Sequence, residues 1–113
     1  IMYAAGYYYS GQNAKADALV TEWYGSPIVD NAQLLSVYMD TKQYARAAAI
    51  WQLRIDKEPQ NPDLLLGQAQ VYFAAGDMVK TVEVLRKILT VAPAQAAQIQ
   101  QLINQIESGA LKP

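Results

Sequence analysis

Between Pro62 and Pro93, apolar residues recur at helical spacing twice over. Leu65, Ala69, Tyr72 and Phe73 form one series, Gly76-Asp77 interrupts it, and Val82, Leu85, Ile88 and Leu89 resume it until Pro93. The pattern predicts two helices joined by a tight turn. Upstream the same punctuation recurs. Residues 1–9 predict a helix that closes near Ser10-Gly11, and Ala14 to Trp23 a second, with Ala16, Leu19, Val20 and Trp23 on its inward stripe. After the break at Gly25-Ser26-Pro27, Asp30 or Asn31 caps a third helix that runs to about Met39 and turns Leu34, Leu35 and Tyr38 inward. A turn near Thr41-Lys42 leads to a fourth, with Tyr44, Ala47, Ala48, Trp51 and Ile55 on its apolar face and Glu58-Pro59 at its end. Pro62 stands at a favourable first-turn position of the fifth. A seventh helix spans Ala94 to Glu107, with Ile99, Leu102, Ile103 and Ile106 opposite a Gln-rich face.

The spacing of these features is regular. Tyr38 and Tyr72, Trp51 and Leu85, and Pro59 and Pro93 are each 34 residues apart. Tyr7 and Tyr38, Gly11 and Lys42, and Ala16 and Ala47 are each 31 apart, so the first unit is shorter by three, at the Gly25-Ser26-Pro27 break. A helix pair recurring at fixed distance predicts an all-α array of antiparallel helix-pair repeats, an α-solenoid of about seven helices with a C-terminal capping helix. The expected organisation is one domain over 1–113. It comprises a partial repeat at 1–27, repeats at 28–61 and 62–93, and the cap at 94–108. The chain opens already inside a helix, which reads as a fragment cut from a longer, bacterial protein.

Composition narrows the function. With 113 residues, of which 52% are hydrophobic, the chain is large enough to bury a core. The net charge of −1, with basic residues interspersed among acids, gives nucleic acid and anionic membrane little to hold. No apolar run reaches the ~18 residues of a bilayer span, so this segment is not expected to insert into a membrane. The chain has no Cys and no His, which removes thiol nucleophiles, imidazole acid–base chemistry and nearly all zinc sites. The acid pairs Asp17/Glu22 and Asp56/Glu58 read as solvated helix faces, and Gly76-Asp77 is a turn without the pattern of a phosphate loop. Neither an enzyme nor a cofactor or metal is expected. The compartment is left open.

The repeat resembles the tetratricopeptide repeat, a 34-residue helix pair with a W-x2-L-G-x2-Y…A-x3-F…P pattern. The unit 62–93 carries the likeness at Leu65, Ala69, Tyr72, Gly76-Asp77, Leu85 and Pro93, and the unit 28–59 at Leu34, Tyr38, Tyr44, Ala47, Trp51 and Pro59. The partial unit 1–27 matches at Ala4, Tyr7, Gly11, Ala16 and Val20. Departures are Gln68, Leu35, Thr81 and Arg54, none of which disturbs the period. A fainter resemblance, in WQLRIDKEPQNP and the closing IESGALKP, is to the C-terminal tail of bacterial O-antigen ligase or polymerase-type membrane proteins.

The resemblance implies a protein-interaction scaffold whose first helices line a concave groove. The family's groove positions fall on Ala5, Tyr8 and Tyr9, on Gln33, Ser36, Met39 and Asp40, and on Leu66, Gln70, Phe73 and Ala74. Tyr8, Met39 and Phe73 are equivalent and should form an apolar ladder, while the basic and Asn residues of the family's carboxylate clamp are missing. The expected partner is an apolar peptide or helix, with Gln33 and Gln70 bonding its backbone. The alternative is a structural or dimerising appendage of a membrane-bound glycan ligase or polymerase, its groove closed in a homodimer through Tyr8, Met39 and Phe73.

Overall fold

The computed structural model describes residues 2–113; Ile1, with which the first predicted helix opens, lies outside them. Seven α-helices follow in order: α1 Met2–Tyr9, α2 Asn13–Tyr24, α3 Ala32–Asp40, α4 Tyr44–Lys57, α5 Pro62–Ala74, α6 Met78–Val91 and α7 Ala96–Glu107. No strand occurs among the described residues. The chain divides into two compact units, one reaching to Leu53 and the other running from Arg54 to Pro113, with the division inside α4.

Local chemistry sets the helix ends. The Asn31 side chain accepts from the N–H of Leu34 at 3.0 Å, so Asn31 rather than Asp30 caps α3. Asn61 accepts from Asp63 N–H ahead of Pro62, and Asp77 accepts from Lys80 N–H at the start of α6. Three helices close alike. Gly11, Lys42 and Gly76 take φ of 80°, 59° and 79°, and the next N–H bonds back to a tyrosine carbonyl: Gln12 to Tyr7 at 2.8 Å, Gln43 to Tyr38 at 2.7 Å, Asp77 to Tyr72 at 3.0 Å. Together with the bonds from Gly11, Lys42 and Gly76 to Tyr8, Met39 and Phe73, this is the Schellman closure, which needs a left-handed residue. Gly76 adopts that conformation freely. Lys42 adopts it against the repulsion between its Cβ and the backbone.

In the N-terminal unit, α1 packs against α2 and α3. Its core holds Ala4, Tyr8, Ala16, Val20, Leu34, Val37, Tyr38, Ala47, Ala48 and Ile50. Trp23, expected inward, is 43% exposed. It stands in the last turn of α2, just before the left-handed Gly25 ends the helix, so the stripe runs past the part of α2 that is covered. Tyr7 and Trp51 are also only half-buried.

In the C-terminal unit, α5 and α6 form a helix hairpin and α7 lies along α6. Leu65, Ala69, Val84, Leu85, Ile88, Ile99, Ile103 and Ile106 are buried in one aliphatic cluster with Ile55, and Tyr72 and Phe73 pack on it partly exposed. Thr81 replaces the family's small residue at no cost in unpaired polarity, since its buried hydroxyl donates to the Asp77 carbonyl at 2.7 Å. The last helix starts later than expected, at Ala96, because Pro93–Gln95 form a 3₁₀ turn first.

Candidate binding surfaces

The expected groove residues separate by unit. On α3 of the N-terminal unit, Gln33, Ser36 and Asp40 are exposed and share a helical face. Tyr9 joins them: its hydroxyl donates to Asp40 at 2.8 Å, and that bond is the main reason its phenol titrates above the ordinary tyrosine value. The result is a polar surface. Met39 is half-buried.

Tyr8 does not belong to any open surface. Only 2% of it is exposed, and its ring meets the Tyr38 ring edge-on, centroids 5.0 Å apart. The expected ladder of Tyr8, Met39 and Phe73 therefore lacks its first rung, and Tyr8 offers no open surface to a second copy. The reason is polar. The Tyr8 hydroxyl donates to Asp17 at 2.5 Å and accepts from Tyr38 at 2.9 Å, which gives a buried phenol the partners it needs.

Arg46 completes this arrangement from α4. Its guanidinium grips both Asp17 oxygens, one through Nη1 and the other through Nη2 at 2.8 Å. It also stands 5.6 Å from the Tyr8 ring and 5.8 Å from the Tyr38 ring. Burial pushes the Asp17 carboxyl up, but the hydrogen bonds from Arg46 and Tyr8 and the guanidinium charge outweigh it and hold its pKa below the usual carboxylate range. Burial, followed by the bonds to Asp17 and Tyr38, moves Tyr8 well above the usual phenol range. Asp17 is thus ionised and Tyr8 neutral at physiological pH. This four-residue lock replaces the solvated helix face expected around Asp17. One signal for it lies in the register: Lys15, Arg46 and Lys80 recur at the two repeat distances, always beside the tyrosine series Tyr7, Tyr38 and Tyr72.

In the C-terminal unit the expected residues converge. Leu66, Gln70 and Phe73 of α5 line a hollow of about 210 Å³, floored by Ala69, Thr81 and Leu85. Its opposite wall is Leu102 and Ile106 of α7, with Leu111 beyond Gly109 at one end. The sequence carries no sign of the α7 wall, because Leu102 and Ile106 follow the same apolar stripe as the core residues Ile99 and Ile103 and the pattern does not separate the two roles. The hollow is apolar apart from Gln70 and Thr81.

A family model described as tetratricopeptide repeat matches residues 38–106. No curated protein and no solved structure matches the chain. The match is to the helix pair itself and carries nothing of a glycan ligase or polymerase. Repeats of this kind are generally non-enzymatic scaffolds that bind other proteins. With the match covering well over half of the chain, and with helix pairs closed by the same turn at the repeat distances, the chain belongs to the tetratricopeptide repeat family.

Proposed function

We propose that the chain is a protein-interaction module that takes an apolar segment of a partner, helical or extended, in the α5–α7 hollow of its C-terminal unit. The observation that carries this reading is the hollow's lining: half-buried Leu66, Phe73 and Leu102 surround a single exposed amide, Gln70. Apolar walls supply affinity by removing area from water, and one amide fixes the register of a peptide backbone. The lining carries no charge, so neither an acidic nor a basic terminus is selected. The polar face of Tyr9, Gln33, Ser36 and Asp40 in the N-terminal unit forms the second, weaker contact surface in this reading.

Selection from a displayed random-peptide library tests it. Recovered sequences should share two or three apolar residues at a spacing of three or four, and Phe73→Glu should reduce their binding at least tenfold while the melting temperature changes little. Peptides that bind the Phe73→Glu protein as tightly as the parent would place the site elsewhere. A collapse in stability on that substitution would instead make Phe73 a core residue.

A further inference from the structure

The first and second repeats of the N-terminal unit meet through an interface whose chemistry can be read residue by residue. From the second repeat come Leu34, Tyr38, Arg46 and Ile50. Leu34, Tyr38 and Ile50 are 0% exposed. Tyr38 donates to the Tyr8 hydroxyl and Arg46 grips Asp17, both in the first repeat. Moving back by the 31-residue register that relates the two repeats turns these four positions into Tyr3, Tyr7, Lys15 and Leu19.

Those four are the same kind of face without a cover. Tyr3 is 77% exposed, Tyr7 and Leu19 are half-buried, and Lys15 is exposed. The Lys15 ammonium stands 5.9 Å over the Tyr7 ring, as Arg46 stands 5.8 Å over Tyr38 and Lys80 5.5 Å over Tyr72. Helical spacing puts Tyr3 with Tyr7 on α1 and Lys15 with Leu19 and Trp23 on α2. The Lys15–Tyr7 contact shows that the two stripes lie side by side, and Trp23 extends the apolar area by a further turn.

We propose that this face docks a helix pair of the same repeat type, one that presents an aromatic hydroxyl to Tyr7 and a carboxylate to Lys15 as Tyr8 and Asp17 do to Tyr38 and Arg46. A second copy of the chain does not supply that pair. Its own Tyr8 and Asp17 are held by its own Tyr38 and Arg46. In its later repeats the equivalents of Tyr8 are Met39 and Phe73, and those of Asp17 are Ala48 and Val82, which carry neither group. The occupant is therefore a different helix hairpin with an acid on its second helix. This surface is independent of the α5–α7 hollow.

Fusing a second copy of residues 1–31 directly before Ile1 of the full chain tests the complementarity, because it sets a free Tyr8 and a free Asp17 in register with Tyr7 and Lys15. The expected result is a single cooperative transition with the melting temperature raised by about 5 °C or more, and slowed hydrogen exchange along α1. Asp17→Asn in the added copy alone should remove most of that rise. Lys15→Arg in the parent face should enlarge it, because a planar fork grips both carboxylate oxygens where an ammonium offers a point charge. An added hairpin that exchanges freely and leaves the parent melting temperature unchanged would overturn the proposal. So would an Asp17→Asn copy that stabilises as well as the unaltered one. Light scattering of the parent chain supplies the last arm: a monomer is expected, and a dimer with α1 protected from exchange would assign the face to a second copy instead.

Discussion

The two units are held together by different chemistry. In the N-terminal unit, two of the largest buried side chains are tyrosines, and their hydroxyls run through a short chain of hydrogen bonds to an aspartate and an arginine. In the C-terminal unit the buried cluster is aliphatic, from Ile55 through Leu65, Leu85 and Ile88 to Ile103 and Ile106. Aliphatic burial scales with area and tolerates many partners of similar shape. A lock of four directional groups accepts only a neighbour that completes it, and leaving one member unpaired is expensive. Both units bury apolar area, and the N-terminal one adds a matched set of polar groups to it. The aliphatic design leaves an apolar hollow beside its core, and the polar one joins the helices of its own unit through one matched set of groups.

The largest effect is expected where area alone counts. Ile103 is wholly buried between α6 and its own helix, so Ile103→Ala should cost about 2–5 kcal/mol, the transfer of the lost methyl groups plus the cavity left behind. Urea unfolding followed by circular dichroism measures it. A loss below about 1 kcal/mol would mean that α7 is not part of the cooperative core and that the contrast between the units is overstated.

Breaking the lock should cost somewhat less. Arg46→Ala leaves the Asp17 carboxylate without its charged partner and removes a 3.4 Å bond from Arg46 Nη1 to the Tyr8 hydroxyl, but the Arg46 and Asp17 side chains keep 28% of their surface in water. A loss of about 2 kcal/mol is expected, below the 3–5 kcal/mol of fully buried pairs. The pH dependence gives a sharper readout. Folding lowers the Asp17 pKa, so its contribution is complete above the unfolded value of about 4 and is lost as pH falls through the lower folded value. The stability gap between the parent and Asp17→Asn should therefore be constant at neutral pH and shrink below about pH 4. A gap independent of pH down to 2 would show that the pair contributes nothing as an ion pair.

Between the two turns that close α3 and α5, the comparison reduces to a single residue. Lys42 and Gly76 occupy equivalent left-handed positions with φ of 59° and 79°. Lys42→Gly should stabilise the protein by about 1 kcal/mol, and Gly76→Ala should destabilise it by a similar amount. Space is not the obstacle at Gly76, since an added Cβ meets nothing within 4 Å. Only the backbone conformation separates the two, so equal and opposite shifts in the melting temperature are the signature to look for.

How much of this was legible in the sequence follows from the range of each interaction. The helices and their turns at Gly11, Lys42 and Gly76 depend on neighbours within six residues, and periodicity with local punctuation locates them; the cap of α3 stays open between Asp30 and Asn31 until the Asn31 bond to Leu34 N–H decides it. Leu66, Gln70 and Phe73 share one face of one helix, and the family register placed them together. The lock joins Tyr8 to Tyr38 and Asp17 to Arg46 across 30 and 29 residues, beyond the reach of any local pattern. Alignment with Met39 and Phe73 accordingly places Tyr8 in the groove, whereas its ring packs inward against Tyr38, and Asp17 and Tyr38 satisfy its hydroxyl. The α7 wall was hidden for a different reason. A helix that covers a core and borders a hollow uses apolar residues for both, and only the packing decides which side Leu102 faces.

The smallest effect is expected at the one polar link described between α6 and α7. Arg86 donates to Glu107 at 2.7 Å, with the two side chains 56% and 53% exposed. This pair resembles Arg46–Asp17 in composition and differs from it in surroundings. Water screens it, two long side chains lose freedom to make it, and neither group is stranded when the other is removed. Arg86→Ala should change stability by about 0.5 kcal/mol or less, with the difference vanishing in 1 M salt. Measured beside Arg46→Ala under the same conditions, it isolates what burial and the two tyrosines add to an otherwise identical pair of charges. If the two substitutions cost the same, the tyrosines add nothing, and the lock would be an ordinary surface ion pair.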